Sequence, residues 1–196
     1  RYALVIGNAS YQAVAPLRNP LNDSSAMAVT LRALGFQVHL LQDATREELE
    51  GALADMAERL KGKQALALVY YAGHGLQLDW HNYLVPVEAD LNTAADVPRA
   101  AVNVDRVLSS FTRAGNRMNV LILDACRNNP FGDGLVSGQG LASLDAPAST
   151  LLAYSTAPGN VASDGDGANG LYTEYLLNQL TQPGARIEDV FKRVRF

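Results

Sequence analysis

An α/β fold of three layers, with a mainly parallel sheet carrying helices on both faces and a small hairpin at its rim, is what this 196-residue sequence predicts. Three observations point there. Short continuous apolar runs recur and stop at glycine or at a polar cluster, as strands buried on both faces do. Amphipathic runs of helical period stand between them, so strand and helix alternate along the chain. Hydrophobic residues make up 48% and charged residues 18%, apolar enough to bury a core and too apolar for a disordered chain.

Residues 2–6 (YALVI) form the first strand, cut off at Gly7. A loop rich in Asn, Pro and Ser leads to a helix over residues 23–34. Asn22 or Asp23 caps it, Met27, Leu31 and Leu34 share one face, and Gly35 stops it. Residues 36–41 read as the second strand. Thr45 with Glu48 three residues on is a capping box, and the helix it opens carries Leu49, Leu53, Met56 and Leu60 on one stripe and closes at Gly62. Residues 65–71 (ALALVYY) make the third strand, ending at Ala72-Gly73-His74-Gly75. Residues 76–90 alternate and hold Trp80, His81 and Asn82 at a turn, which reads as the rim hairpin. Val104, Val107, Leu108 and Phe111 form a third helical stripe, ended by Gly115, and residues 118–123 (MNVLIL) form the fourth strand, running into Asp124-Ala125-Cys126.

Residues 127–149 are rich in Gly, Asn, Ser and Pro; a loop that long in a compact domain is more often functional than idle. Residues 150–154 are the fifth strand. A Gly/Asp loop at 157–170 precedes a helix with Tyr172, Leu176 and Leu180, and Ile187, Val190, Phe191 and Val194 make the last stripe. Residues 1–196 thus read as a single domain. Arg1 stands directly before a strand pattern and Phe196 falls inside a helical one, so both ends read as cut from a longer protein.

Lys plus Arg is 16 and Asp plus Glu is 20, a net charge of −4. A general nucleic-acid surface is not expected, since phosphate binding needs clustered positive charge. No run approaches the ~20 apolar residues of a membrane span. The one cysteine, Cys126, excludes an intrachain disulfide and a multi-cysteine zinc site, and leaves localisation open between cytoplasmic and exported.

In an open parallel sheet, ligands sit beyond the carboxyl ends of the strands. The third strand ends in His74 and the fourth in Cys126, 52 residues on. Side by side, they put a thiol and an imidazole in one crevice, the minimum equipment for nucleophilic acyl transfer. The N–H groups of Gly75 and Cys126 are candidates for an oxyanion hole. Alone, the cysteine reads as a small buried hydrophobe and the histidine as a turn residue; the pairing at matching strand ends favours chemistry. His39, mid-strand, and His81, in the hairpin, read as structural or surface residues.

Tyr70-Tyr71-Ala72-Gly73-His74-Gly75 with Asp124-Ala125-Cys126-Arg127 resembles the caspase-like clan of cysteine peptidases, the peptidase C14 family. The His-to-Cys spacing matches that of animal caspases. Ala3-Leu4-Val5-Ile6-Gly7-Asn8 and Asn19-Pro20-Leu21-Asn22-Asp23 are similar to its bacterial metacaspase-like, or orthocaspase, branch. The resemblance covers nearly the whole chain and implies the caspase-hemoglobinase fold and a cysteine endopeptidase with His74 and Cys126 as its dyad. It also implies a choice of substrate. Animal caspases that cut after Asp carry Gln two residues before the cysteine, whereas metacaspases that cut after Arg or Lys carry an acid there, as Asp124 does here. The acid of the Asn-Asp pair at the first helix lines the same pocket in metacaspases, and Asp23 matches it, although a helix N-cap explains an acid there equally well. Two carboxylates facing a cleft select a cationic side chain. Ser155 falls in a region that borders substrate in the family. The chain departs from the branch at Pro20, near the place of a second cysteine, and at Ala72, where a serine is common.

No cofactor is required by this reading. Asp164-Gly165-Asp166-Gly167 fails the EF-hand spacing because Ala168 occupies the next ligand position. Some metacaspases need calcium, and Asp79, Glu88 and Asp90 are the acids that stand as candidate contributors. Phosphate-cradling glycine motifs are absent. The expected partner is a peptide or protein with a basic P1 residue; the oligomeric state is not legible. The alternatives are a non-catalytic relative that binds peptides or signals, and a doubly wound interaction module of the flavodoxin type.

Overall fold

The computed structural model describes residues 1–126, 141–155 and 167–194, Cys126 by its backbone alone. Most of the two long loops expected from the sequence, and Asp164, Gly165 and Asp166, lie outside these residues. The strands are β1 (Tyr2–Gly7), β2 (Gln37–Gln42), β3 (Leu66–Leu78), β4 (His81–Leu84), β5 (Val102–Asn103), β6 (Met118–Cys126) and β7 (Thr150–Tyr154). The helices are α1 (Pro20–Ala33), α2 (Arg46–Leu60), α3 (Val97–Ala100), α4 (Val104–Ala114), α5 (Leu171–Leu180) and α6 (Ile187–Arg193).

Five strands pair in parallel in the order β2-β1-β3-β6-β7. Strand periodicity sorts their side chains between two cores. Leu4, Ile6, Val69, Tyr71, Leu121 and Leu123 pack with Leu49, Leu53 and Met56 of α2 and Val107 and Phe111 of α4. Ala3, Val5, Leu68, Tyr70, Val120 and Ile122 pack with Met27 and Leu31 of α1, Leu176 of α5 and Val190 of α6. Helices on both faces make the three-layer sandwich that the alternation predicts. The chain moves from β1 outward to β2 and then returns past β1 to β3, so the strand order reverses there, at the kind of switch point where α/β sheets bind ligands.

Three details differ from the sequence-based expectation. α1 starts at Pro20, with Asn19 in the N-cap place and making no side-chain cap bond. Proline suits the first helical position because its fixed φ is helical and its missing N–H would lack a partner there anyway. Asn22 and Asp23 are therefore inside the first turn, and the Asp23 carboxylate is not spent on capping. β3 runs on through His74 to Leu78, because β4 pairs antiparallel with its far end and β5 pairs in turn with β4. The hairpin turn is Asp79 and Trp80, both with left-handed backbone (φ 50° and 66°), and His81 is already in β4; consecutive positive φ values are what a two-residue hairpin turn requires. The capping box is present, with Thr45 and Glu48 exchanging hydrogen bonds.

The loop after β1 is held by two polar residues. Asn8, fully buried, donates through Nδ2 to Ala44 O (3.3 Å) and Val85 O (3.1 Å) and accepts from Ala44 N–H (2.9 Å). Asp43 accepts from Ala9 N–H, Ser10 N–H and Ser10 Oγ. Burial pushes the Asp43 carboxyl up, but these bonds outweigh it and hold the group below the usual range. Since a buried backbone group left without a partner costs about 1–3 kcal/mol, Asn8→Ala should destabilise the domain by roughly 2–4 kcal/mol. Thr45→Ala, which removes an exposed cap, should cost ~1 kcal/mol. Urea unfolding of both variants checks the ratio.

Candidate active site

β3 reaches His74 just where β1 has run out. The last β1–β3 pair is Gly7 with Ala72, and Asn8 N–H closes on Ala72 O (2.9 Å). Beyond it β3 keeps β6 on its other side: the parallel register sets Ala72 beside Asp124, Gly73 beside Ala125 and His74 beside Cys126. The two residues singled out by spacing thus stand on adjacent strands at one level. His74 is buried, 5% exposed. Its N–H donates to the Tyr11 hydroxyl (2.7 Å), its carbonyl accepts from the Tyr71 hydroxyl (2.7 Å), and its ring lies against the Tyr11 ring, centroids 4.5 Å apart.

The same ladder settles where the Gly75 amide points. Val85 N–H donates to His74 O (3.1 Å), so the His74 carbonyl faces the β4 side and His74 stands opposite Val85 in a hydrogen-bonding place of the ladder, although only this one of the two bonds is made. The neighbouring pair, Gly75 with Leu84, is then a non-hydrogen-bonded one. Its amide turns away from β4, to the side on which β6 ends at Cys126. Glycine is needed there for room: a Cβ on Gly75 would sit 3.0 Å from Ala125 Cβ and 3.2 Å from Leu141 Cδ2. Leu141 is held in place through its neighbour Ala142, which exchanges two hydrogen bonds with Asn82 of β4 (2.6 and 2.8 Å).

Asp23 and Asp124 come together around the start of α5. Gly7 lets the first turn of α1 close on the end of β1, since any Cβ there would strike Pro20 O and Ser24. Asp23, 3% exposed, accepts from Gly170 N–H (2.9 Å). Asp124 accepts from Thr173 Oγ1 (2.6 Å), and the Tyr70 hydroxyl lies 2.6 Å from that same oxygen. Full satisfaction has Tyr70 donating to Thr173 and Thr173 donating to Asp124. A Cβ placed on Gly170 would lie 3.2 Å from Asp23 Oδ2 and 3.9 Å from Asp124 Oδ2, so the two carboxylates flank one point. Burial, then the charges of Asp124 and Asp23, push the Tyr70 phenol well up; burial, then Asp124, does the same to Tyr172. Like charges so placed repel one another, and a cation between them relieves the repulsion.

Ser155 follows β7, its N–H on Leu123 O (3.0 Å), which puts it level with Asp124. Its Oγ is buried and has no hydrogen-bond partner among the described residues. His39 lies in β2, and His81 is an outer residue pairing through Nδ1 with Asp105 (2.8 Å); neither joins the group. The acids considered for calcium do not gather. Glu88 accepts from Arg46 N–H, Asp90 from Asn92 Nδ2, and among the described residues no three acids, histidines or cysteines stand together as a metal site. At the opposite, amino end of the sheet a cavity of about 780 Å³ is lined by Arg1, Arg59, Lys63 and Arg117, which rules it out as a seat for a cationic side chain. No helix of the described residues is long and apolar enough to cross a membrane.

Tyr11, Tyr70, Gly170 and Thr173 belong to this group and were not singled out by sequence. Tyr11 and Gly170 sit in loops without period, Tyr70 reads as part of a buried strand, and Thr173 stands beside the apolar stripe of its helix without belonging to it. Only the register of β3 with β6 and the docking of α5 reveal them.

The caspase-domain family profile matches residues 1–196. Human (Homo sapiens) mucosa-associated lymphoid tissue lymphoma translocation protein 1 is 30% identical over 186 residues, covering 93% of this chain and 22% of that protein. Its mouse (Mus musculus) homolog matches with the same identity and coverage. Chicken (Gallus gallus) caspase-7 is 23% identical over 195 residues, covering 89% of this chain and 58% of the relative. The chain therefore spans about a fifth of the length of the first two relatives.

The buried phenols have a consequence for stability. Phenols of the unfolded chain ionise near the ordinary 10.0, while Tyr70 and Tyr172 stay protonated above it. Their contribution is whole below that pH and drains as pH climbs past it. Urea unfolding at pH 8 and pH 11 should show stability falling with alkali. Tyr2 and Tyr83 act in the same direction, but only the Tyr70 and Tyr172 share depends on Asp124. Asp124→Asn should therefore shrink the fall; an unchanged fall would contradict the charge coupling.

Proposed function

The chain belongs to the caspase-domain peptidase family, and from that membership we propose that it is a cysteine endopeptidase that cuts after Arg or Lys, on the metacaspase-like, orthocaspase side of the family. One observation carries the reading: the β3–β6 register sets His74 level with Cys126 and Ala72 level with Asp124, whose carboxylate lies near that of Asp23.

The reaction is acyl transfer. The Cys126 thiolate attacks the carbonyl carbon of the scissile peptide, and the carbonyl oxygen becomes an oxyanion facing the N–H groups of Gly75 and Cys126. Each such donor contributes about 3 kcal/mol to transition-state stabilisation. Imidazolium His74 gives its proton to the departing amine nitrogen as the C–N bond breaks and a thioester forms. Neutral His74 then takes a proton from water, whose oxygen attacks the thioester, and the thiolate leaves with a carboxylic acid product. No step here requires a metal or an organic cofactor from the protein.

Asp23 and Asp124, with Ser155 on the same rim, form the S1 pocket. The P1 guanidinium or ammonium enters between the carboxylates; an aspartate in the same place is repelled by both. The cavity lined by Arg1, Arg59, Lys63 and Arg117 is at the amino end of the sheet, away from Asp23 and Asp124, which supports this orientation.

The test is a P1 scan with fluorogenic peptides, run with and without calcium. Arginyl and lysyl reporters should be cleaved and aspartyl reporters should not. Cys126→Ala should lower turnover by more than about 10³-fold. Asp124→Asn and Asp23→Asn should each cost about 2–4 kcal/mol, roughly 30- to 1000-fold in kcat/KM for basic P1 alone, as loss of one partner from a buried charge pair does. Absence of cleavage of every basic reporter under both conditions would overturn the proposal.

A further inference from the structure

The backbone of His74 leaves the sheet's own hydrogen bonding at the position where the imidazole must be held still. β1, which serves β3 as partner up to Ala72, has ended, and Val85, the residue after β4, takes only the His74 carbonyl through its N–H. The His74 N–H would be a buried donor without a strand to receive it. The Tyr11 hydroxyl receives it instead, at 2.7 Å. That hydroxyl is also 3.4 Å from the hydroxyl of Tyr71, whose proton is shared between the carbonyls of His74 (2.7 Å) and Val85 (3.0 Å). The two phenols therefore grip the His74 peptide from both its donor and its acceptor side.

The ring of Tyr11 does a second thing. It packs against the imidazole with centroids 4.5 Å apart and planes at 49°, which limits rotation of the histidine side chain toward the rim core. Tyr11 is itself fixed. It is 7% exposed within the cluster of Leu76, Tyr83 and Val85, and the next residue, Gln12, bonds through its N–H to Val87 O (2.9 Å). Gly73 fits the same device, since a Cβ there would stand 2.7 Å from the Tyr11 hydroxyl and 2.8 Å from that of Tyr71. Any larger residue would have to displace the hydroxyls that hold the histidine.

We propose that Tyr11 is a positioning residue for His74, its hydroxyl fixing the histidine backbone and its ring fixing the imidazole, so that the loop after β1 sets the geometry of the dyad. The proposal rests on the peptidase reading above for its kinetic consequence, but not for its structural one. Tyr11 touches neither substrate nor the scissile bond in this account. Its loss should therefore act on kcat and leave substrate binding alone, because displacing a reacting group by about 1 Å costs ~10²-fold in rate.

The experiment pairs steady-state kinetics on an arginyl reporter with amide hydrogen exchange at His74, on wild type, Tyr11→Phe and Tyr11→Leu. Tyr11→Phe keeps the ring and loses the acceptor. It should lower kcat about tenfold with KM within about twofold of wild type, and speed His74 amide exchange at least tenfold while amides elsewhere in β3 stay protected. Tyr11→Leu, which loses the ring as well, should lower kcat about 100-fold. Wild-type kcat and wild-type exchange in Tyr11→Phe would overturn the proposal, as would a rise in KM with kcat unchanged. A wild-type protein that cleaves no basic reporter sinks the peptidase reading instead, and the exchange rates then decide the role of Tyr11 by themselves. If Tyr11→Phe does not fold, the wild-type His74 amide decides: protection equal to that of its β3 neighbours supports the bond, and exchange as fast as an exposed loop amide overturns it.

Discussion

A slip of one residue between β3 and β6 would undo this site. Side chains alternate along a strand, so a shifted register would take His74 off the level of Cys126 and turn Tyr70 and Leu68 out of one core and into the other. The apolar residues on both faces of both strands prevent it, since Leu68, Tyr70, Val120 and Ile122 fill one side and Val69, Tyr71, Leu121 and Leu123 the other. The alignment of His74 with Cys126 is therefore held by packing in the middle of the sheet. Parallel pairing matters as much, because only parallel strands bring two carboxyl ends to the same edge.

Around that constraint, Arg1, Arg59, Lys63 and Arg117 line a cavity where the strands begin, and Asp23, buried, and Asp124, part-buried, stand where they finish. Keeping Asp23 and Asp124 near one another costs electrostatic energy, and the structure offsets it with directed hydrogen bonds from Gly170 N–H and Thr173. Both donors come from the start of α5, so this helix meets acids that come from α1 and β6. The polar residues after β1 do related work at the other wall: Asn8 ties the loop to Ala44 and Val85, and Tyr11 reaches from that loop to His74. Loop segments with little order of their own in the sequence are thus bound at defined points to strand ends.

What could be read beforehand follows from what leaves a local trace. Buried parallel strands leave continuous apolar runs, and the runs at β1, β3 and β6 set His74 and Cys126 just past two such runs, although β3 itself continues beyond His74. The family resemblance, carried by the segments around those two residues, points to Asp23 and Asp124, which the structure brings near each other at the start of α5. The start of α1 was misplaced because Asn22 and Asp23 are good caps in isolation, whereas the helix begins with a proline whose preference for the first turn is as strong and easier to overlook. The extension of β3 to Leu78 was hidden by Gly73 and Gly75, which read as loop although they are glycines for reasons of space. Tyr11 and Thr173 left no trace at all. Their roles depend on contacts with residues 63 and 49 positions away, and nothing in a local window reports such contacts.

The most direct measurement is mass spectrometry of the protein after incubation with peptidyl acyloxymethyl ketones that differ only at P1. A thioether on Cys126 is expected with arginine at P1, little or none with aspartate, and loss of the arginine-dependent labelling in His74→Ala. Equal labelling by both compounds, or labelling that ignores the loss of His74, would contradict the peptidase reading.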